Sequence, residues 1–215
     1  MKKQLFNNSV RDLCFVVIGI MIMGFGSAFS YKANIGSGSI HTLVQGVHRF
    51  LNISEGRADI LISIVFLFPM FFLAYDLVGM GTVISVFGVG ISVELGKIFI
   101  GMLNVGNSWI TRIILYFIGS VVSSLGASIY ISTNAGIGSL DAAIILLYRM
   151  TDISYANSSI VINVVLTIVG WLLGGTVGLG TFLGTITGSY ISEFFMKRVY
   201  KWIGKENPLK KTNIN

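Results

Sequence analysis

The sequence predicts an all-α integral membrane protein. Six transmembrane helices and two short re-entrant or interfacial helices form two three-span inverted repeats. Three observations lead there. Of 215 residues, 53% are hydrophobic and 11% charged, against roughly 25% charged in a soluble domain. Apolar runs recur near the ~20 residues that cross a hydrocarbon core. The chain also aligns with itself at an offset of 100 residues. A mean hydropathy of +0.81 agrees. A soluble enzyme, a disordered chain and a disulfide scaffold are excluded.

Residues 1–12 form a basic N-terminus. The first repeat occupies 13–103 and opens with the span Leu13–Tyr31. That run is longer than the apolar core of a signal peptide, about 7–15 residues. Cys14 within it reads as a small packing residue. The segment 40–51 is too short to cross. Ile40, Leu43, Val44, Val47 and Leu51 fall on one helical face, with His41, Gln45, His48 and Arg49 opposite. Ile60–Tyr75 is the second span, and Pro69 should bend it rather than end it. Its Phe66, Phe68, Phe71, Phe72 and Tyr75 read as lipid-facing bulk. Gly79–Ile100 is the third, carrying Glu94 and Lys97. The second repeat, 110–198, repeats the order: span Ile113–Ile131, short helix 140–150, then spans Ser158–Leu173 and Leu179–Met196. Residues 199–215 form a basic tail.

The net charge of +6 is a matter of orientation, not of nucleic acid. With both ends inside, ten basic residues are cytoplasmic: Lys2, Lys3, Arg11, Arg149, Lys197, Arg198, Lys201, Lys205, Lys210 and Lys211. Five are outside: Lys32, Arg49, Arg57, Lys97 and Arg112. That bias sets both termini in the cytoplasm. An eight-span count, with both short helices crossing, places the ends alike. The partner implied is the lipid bilayer.

Between positions 18–65 and 118–165 the repeat gives 13 identities without a gap. Apolar bias inflates such a match, but it does not put Asn34, Gly36, Gly38, Ser39 and Arg49 in register with Asn134, Gly136, Gly138, Ser139 and Arg149. One deletion later Gly79-Met80-Gly81-Thr82 meets Gly178-Leu179-Gly180-Thr181, and Glu94 meets Glu193. Three spans per half make the second half enter from the opposite side, as in many transporters.

The candidate substrate site is the paired motif Asn34, Gly36, Gly38, Ser39, His41 and Asn134, Gly136, Gly138, Ser139, Asp141. The glycines admit backbone conformations closed to other residues. Ser39 and Ser139 suit helix N-caps. A helix starting at membrane depth points free N–H groups into the protein. The bland alternative is a pair of ordinary turns. Asp141 breaks the symmetry with a charge. Glu94 and Glu193 are the acids most clearly inside spans and are candidates for ion or proton coupling. Local pairing with Lys97 and Lys197 is the structural alternative. No metal cluster, cofactor motif, Walker motif or nucleophile–base pair occurs, so the expectation is no cofactor and no enzyme.

The motif Asn134-Ala135-Gly136-Ile137-Gly138-Ser139-Leu140-Asp141, the pair Ile153-Ser154 and the Gly178-Leu179-Gly180-Thr181 start resemble the bacterial YczE/YyaS/YitT-like membrane proteins, the YczE-like branch in particular. The resemblance covers nearly all of the chain. Here the family's Pro-Trp pair is absent from both halves, and His41 replaces the acid in the first. The resemblance implies a bacterial cytoplasmic membrane and a small-molecule transporter or exporter. The residues favour a secondary transporter with its site between the repeats. A ligand-binding or regulatory membrane subunit is the alternative. The sequence leaves room for a homo-oligomer and does not name the substrate.

Overall fold

The computed structural model describes residues 9–36, 38–103, 106 and 108–205. Lys2, Lys3, Lys210 and Lys211, and the ends of the two expected terminal segments, lie outside the described residues. The described chain is helical: α1 Val10–Ala33, α2 Ser39–Leu51, α3 Glu55–Leu73, α4 Met80–Gly101, α5 Trp109–Ser132, α6 Ser139–Met150, α7 Tyr155–Leu172, α8 Leu179–Leu183 and α9 Ser189–Ile203. A π-helical turn, Gly184–Gly188, joins the last two.

Four helices, α1, α4, α5 and α7, are long and apolar enough to cross a membrane. The expected second span corresponds to α3, whose first turns carry Glu55, Arg57 and Asp59. The expected sixth is broken by the π turn and runs on to Ile203. Pro69 lies inside α3 without ending it. The short segments form α2 and α6 close to their expected bounds.

Helix starts follow from local chemistry. Ser54 accepts a hydrogen bond from Arg57 N, and Ser154 from Asn157 N, so the matched Ile-Ser pairs supply the N-caps of α3 and α7. For α2 and α6 the expected caps shift by one residue. Gly38 and Gly138 are the N-cap residues, and Ser39 and Ser139 are already helical. The Ser39 hydroxyl is instead engaged with Thr185 Oγ1 at 2.9 Å, across the molecule.

α1 and α5 form the central packing pair, and they run antiparallel. A Cβ added at Gly19 would strike Gly126 O, and one at Gly26 would strike Gly119 O; as one number rises the other falls. Small residues let the two backbones approach this closely, as membrane helices do. α4 runs parallel to α1: Gly24 lies against Ser92 and Val93, and Gly96 against Ala28. α9 runs parallel to α5, with Ser124 donating to Gly188 O and Ser128 to Ser192 O. α3 returns in the opposite sense to α4. Its chain exits through Leu77, whose carbonyl accepts from Ile137 N beside the start of α4.

The surface is apolar and the interior holds hydroxyls. Phe68, Phe72, Phe87, Ile91, Ile110 and Leu172 are exposed, while Thr42, Thr82, Ser92, Ser128 and Ser158 are buried. That inversion suits a lipid environment, where buried polar groups find partners within the bundle. Phe68, Phe71, Phe72 and Tyr75 face outward as expected; Phe66 packs against the core instead. Cys14 is exposed rather than packed.

Candidate functional site

The two glycine turns are built alike, and each is locked to the other half. Asn34 and Asn134 take left-handed conformations (φ 51° and 55°), and Gly36 and Gly136 have φ of 115° and 117°. Such conformations favour Asn and Gly. Ile35 O accepts from Gly180 N at 2.8 Å, and Ala135 O accepts from Gly81 N at 2.9 Å. A Cβ on Gly36 would fall 2.8 Å from Gly178 Cα, and one on Gly136 would fall 2.7 Å from Gly79 N. So the turn of each half grips the start of the other half's last helix. The matched arginines tighten the same joints. Arg49 donates to Gly174 O at 2.5 Å, and Arg149 pairs with Asp76 at 2.6 Å.

This geometry divides the expected site residues. Asn34, Gly36, Asn134 and Gly136 belong to the interlocking turns. Gly38, Ser39, His41, Gly138, Ser139 and Asp141, at the N-termini of α2 and α6, line one cavity of about 420 Å³. The structure thus brings the two helix starts to a shared space. Tyr130 donates its hydroxyl to Asp141 Oδ2. Tyr31 is hydrogen-bonded to His41 Nδ1 and packs on its ring. Asp141 is the third residue of α6, where the helix dipole favours its charge.

Glu94 and Glu193 go to different places. Glu94 lines the cavity with Glu55 and Asp59 and pairs with Lys97 at 2.7 Å. Lys97 also sits over the Tyr31 ring. Glu193 lies outside this cavity. It accepts from Ala156 N at 2.6 Å, satisfying a free amide at the start of α7, and it pairs with Lys197. Glu94 is beside the C-terminal half of α1 and Glu193 beside the C-terminal half of α5. Because α1 and α5 are antiparallel, the two acids mark opposite ends of the molecule.

The matched ends differ in state. At the Glu94 end, Glu55 is exposed and the Glu94 side chain is 70% exposed, so the cavity has its mouth there. At the other end Tyr155, aligned with Glu55, is 3% exposed, and the Glu193 side chain is 14% exposed. Tyr155 also borders a second depression, shared with Glu193 and Lys197. Tyr155 is the lining residue that the cavity and this depression share.

Sequence reasoning missed Tyr31, Tyr130, Tyr155, Glu55, Asp59 and Thr185. The tyrosines at 31 and 130 are one residue out of register in the repeat, which hid their common role. The acids could have been found as charges interrupting the start of a span, and Thr185 from its glycine-bounded run, Gly184–Gly188. Among the described residues no cluster of His, Cys, Asp and Glu could hold a metal ion.

Comparison with known proteins finds relatives without an assigned activity. The chain is 26% identical over 116 residues to the uncharacterized protein YyaS of Bacillus subtilis (strain 168). The match covers 54% of this chain and 58% of that protein, so it spans little more than half of each. This agrees with the YyaS-like part of the resemblance. No solved structure matches the chain. The model of a family of unknown function, DUF6198, matches residues 10–197, and the chain therefore belongs to that family.

Proposed function

We propose that the chain is a secondary transporter of a small molecule in the bacterial cytoplasmic membrane, within the YczE-like branch of its relatives. The observation that carries this reading is the difference between the matched ends. Equivalent elements are open at Glu55 and Glu94 and closed at Tyr155 and Glu193. A protein built from two inverted halves can exchange those states, opening one end as it closes the other.

The reading takes six spans in two repeats, 13–103 and 110–198, with α2 and α6 as re-entrant helices. Several contacts support it. The antiparallel pairing of α1 with α5 relates equivalent helices by a twofold axis across their length. The parallel pairing of α1 with α4 requires an odd number of crossings between them; α3 alone gives one and α2 with α3 would give two, which favours the six-span over the eight-span count. With both termini cytoplasmic, the Glu94 end faces outside and the cavity is outward-open. No covalent chemistry is involved.

The test combines sidedness with transport. In a Cys14→Ser background, Ser159→Cys at the cavity wall should react with a membrane-impermeant maleimide from outside in intact cells. Reconstituted protein should accumulate its substrate down an imposed ion gradient without a partner protein. Labelling only from the cytoplasmic side overturns the orientation. Binding without accumulation or counterflow assigns the chain to the ligand-binding subunits instead.

A further inference from the structure

We propose that the cavity takes a small organic cation, an amine with an apolar body, with Asp141 as its counter-ion. The proposal rests on the cavity being the substrate site, and it goes further by giving the charge. Among the described residues no basic side chain forms an ion pair with Asp141; its partner is the neutral Tyr130 hydroxyl, on Oδ2. One phenol leaves the second carboxylate oxygen available to an ammonium group. The N-terminus of α6 offsets part of the charge, about half a unit, so Asp141 keeps a net attraction for a cation.

The approach has the same sign. Glu55, Asp59 and Glu94 surround the mouth, against Lys97 as the one lysine or arginine among the described lining residues; Lys97 is already paired with Glu94, and His41 is engaged by the Tyr31 hydroxyl. A mouth with an excess of one sign raises the local concentration of the opposite ion. An anion would meet no free basic side chain on this route. The two helix N-termini favour an anion, but each contributes partial charge only, and the one at α6 already faces the Asp141 carboxyl group. The walls define the rest of the ligand. Ile144, Ile162 and Leu166 offer an apolar surface, and serine hydroxyls such as Ser85 and Ser159 offer hydrogen bonds. The Tyr155 ring at the closed end adds a face suited to cations.

Binding to purified protein in nanodiscs tests this independently of transport. The probes are ethylamine, benzylamine and tryptamine, each beside the alcohol and the carboxylic acid of matching shape, read by thermal shift and calorimetry. At least one amine should bind more tightly than its alcohol and acid. Asp141→Asn should weaken that amine about tenfold or more, as loss of a charge-assisted contact does. If Asp141→Asn does not fold, Glu55→Gln with Asp59→Asn serves. It should weaken the amine about threefold at low salt and much less at high salt. An acid or alcohol that binds as well as its amine overturns the charge assignment and leaves the cavity a binding site. So does an amine affinity unchanged in every folded variant. Failure of the whole panel at millimolar concentration overturns the amine proposal. Accumulation without amine selectivity preserves the transporter reading alone, and amine binding without accumulation preserves the cation site alone.

Discussion

Gly36 and Gly136 combine a positive φ with close packing against the opposite half. Each has a positive φ that a side chain strains, and a Cβ added at either would fall within 3 Å of backbone from the opposite half. Gly36→Ala and Gly136→Ala should each lower stability by about 1–3 kcal/mol from backbone strain alone, with steric cost added. Thermal unfolding in detergent would measure it. Gly38 has an ordinary φ of −61° and nothing within 4 Å of its Cβ position. Gly38→Ala should therefore be neutral to folding. Gly38→Leu should fold and block the cavity, seen as loss of amine binding at unchanged melting temperature. Wild-type binding in Gly38→Leu would show that this helix start does not border the ligand. The contrast between Gly36 and Gly38, two residues apart, separates structural from lining roles within one motif.

At the scale of elements, α1 and α5 are held by shape. A Cβ at Gly26 would sit 2.3 Å from Ser123 N, and one at Gly126 would sit 2.3 Å from Met23 N. Neither neighbour is a flexible side-chain tip, so the helices must separate. Gly26→Val and Gly126→Val should each cost about 1–3 kcal/mol or more and reduce the folded yield, by size-exclusion profile in detergent. Gly90 on α4 faces open space. Gly90→Ala should leave the yield intact and stabilise the helix by about 0.5–1 kcal/mol. Arg149 with Asp76 is a different case. Asp76 is half-exposed but the Arg149 side chain is only 10% exposed, so Arg149→Ala, which also removes packing, should cost more than the ~1 kcal/mol of a fully exposed pair, read by thermal unfolding in detergent. The π turn at Gly184–Gly188 loosens the α8–α9 rod beside Ser39 and Ser159, at cavity depth. Such turns recur at functional sites.

For the whole molecule, Glu193 and Glu94 form a matched pair in which one contact is made and the other is not. Glu193 closes its end through Ala156 N and Lys197. Removing its carboxylate with Glu193→Ala leaves the α7 amide without that acceptor. A charged hydrogen bond is worth roughly 1.5–3 kcal/mol, enough to shift a two-state balance about tenfold or more. Ser159→Cys should then become reactive from the Glu193 side, where the parent shows little labelling. In the opposite state Glu94 would cap α3 as Glu193 now caps α7. Glu94→Ala should accordingly depress labelling from the Glu193 side. Equal labelling of parent and both variants would show that neither acid governs access.

Much of this was legible before any coordinates. Hydropathy runs longer than a soluble core helix, an offset of 100 residues and paired Gly-x-Gly-Ser turns are local or periodic signals. They specified an all-helical chain, two short helices close to their observed bounds and the two turns. Local signals suffice there because helix length, glycine conformation and capping depend on neighbours in sequence. Which residues face the cavity was decided only by tertiary structure. Asn34 and Asn134 share a motif with Ser39 and Ser139, yet the turn directs them away. Tyr31, Tyr130 and Tyr155 reach the site from helices whose sequence gives no sign of it. The two glutamates are equivalent in sequence and opposite in state, because a repeat fixes correspondence and not conformation. The turns are alike in local geometry, yet Glu94 is exposed and Glu193 is not, and only the assembled bundle decides that.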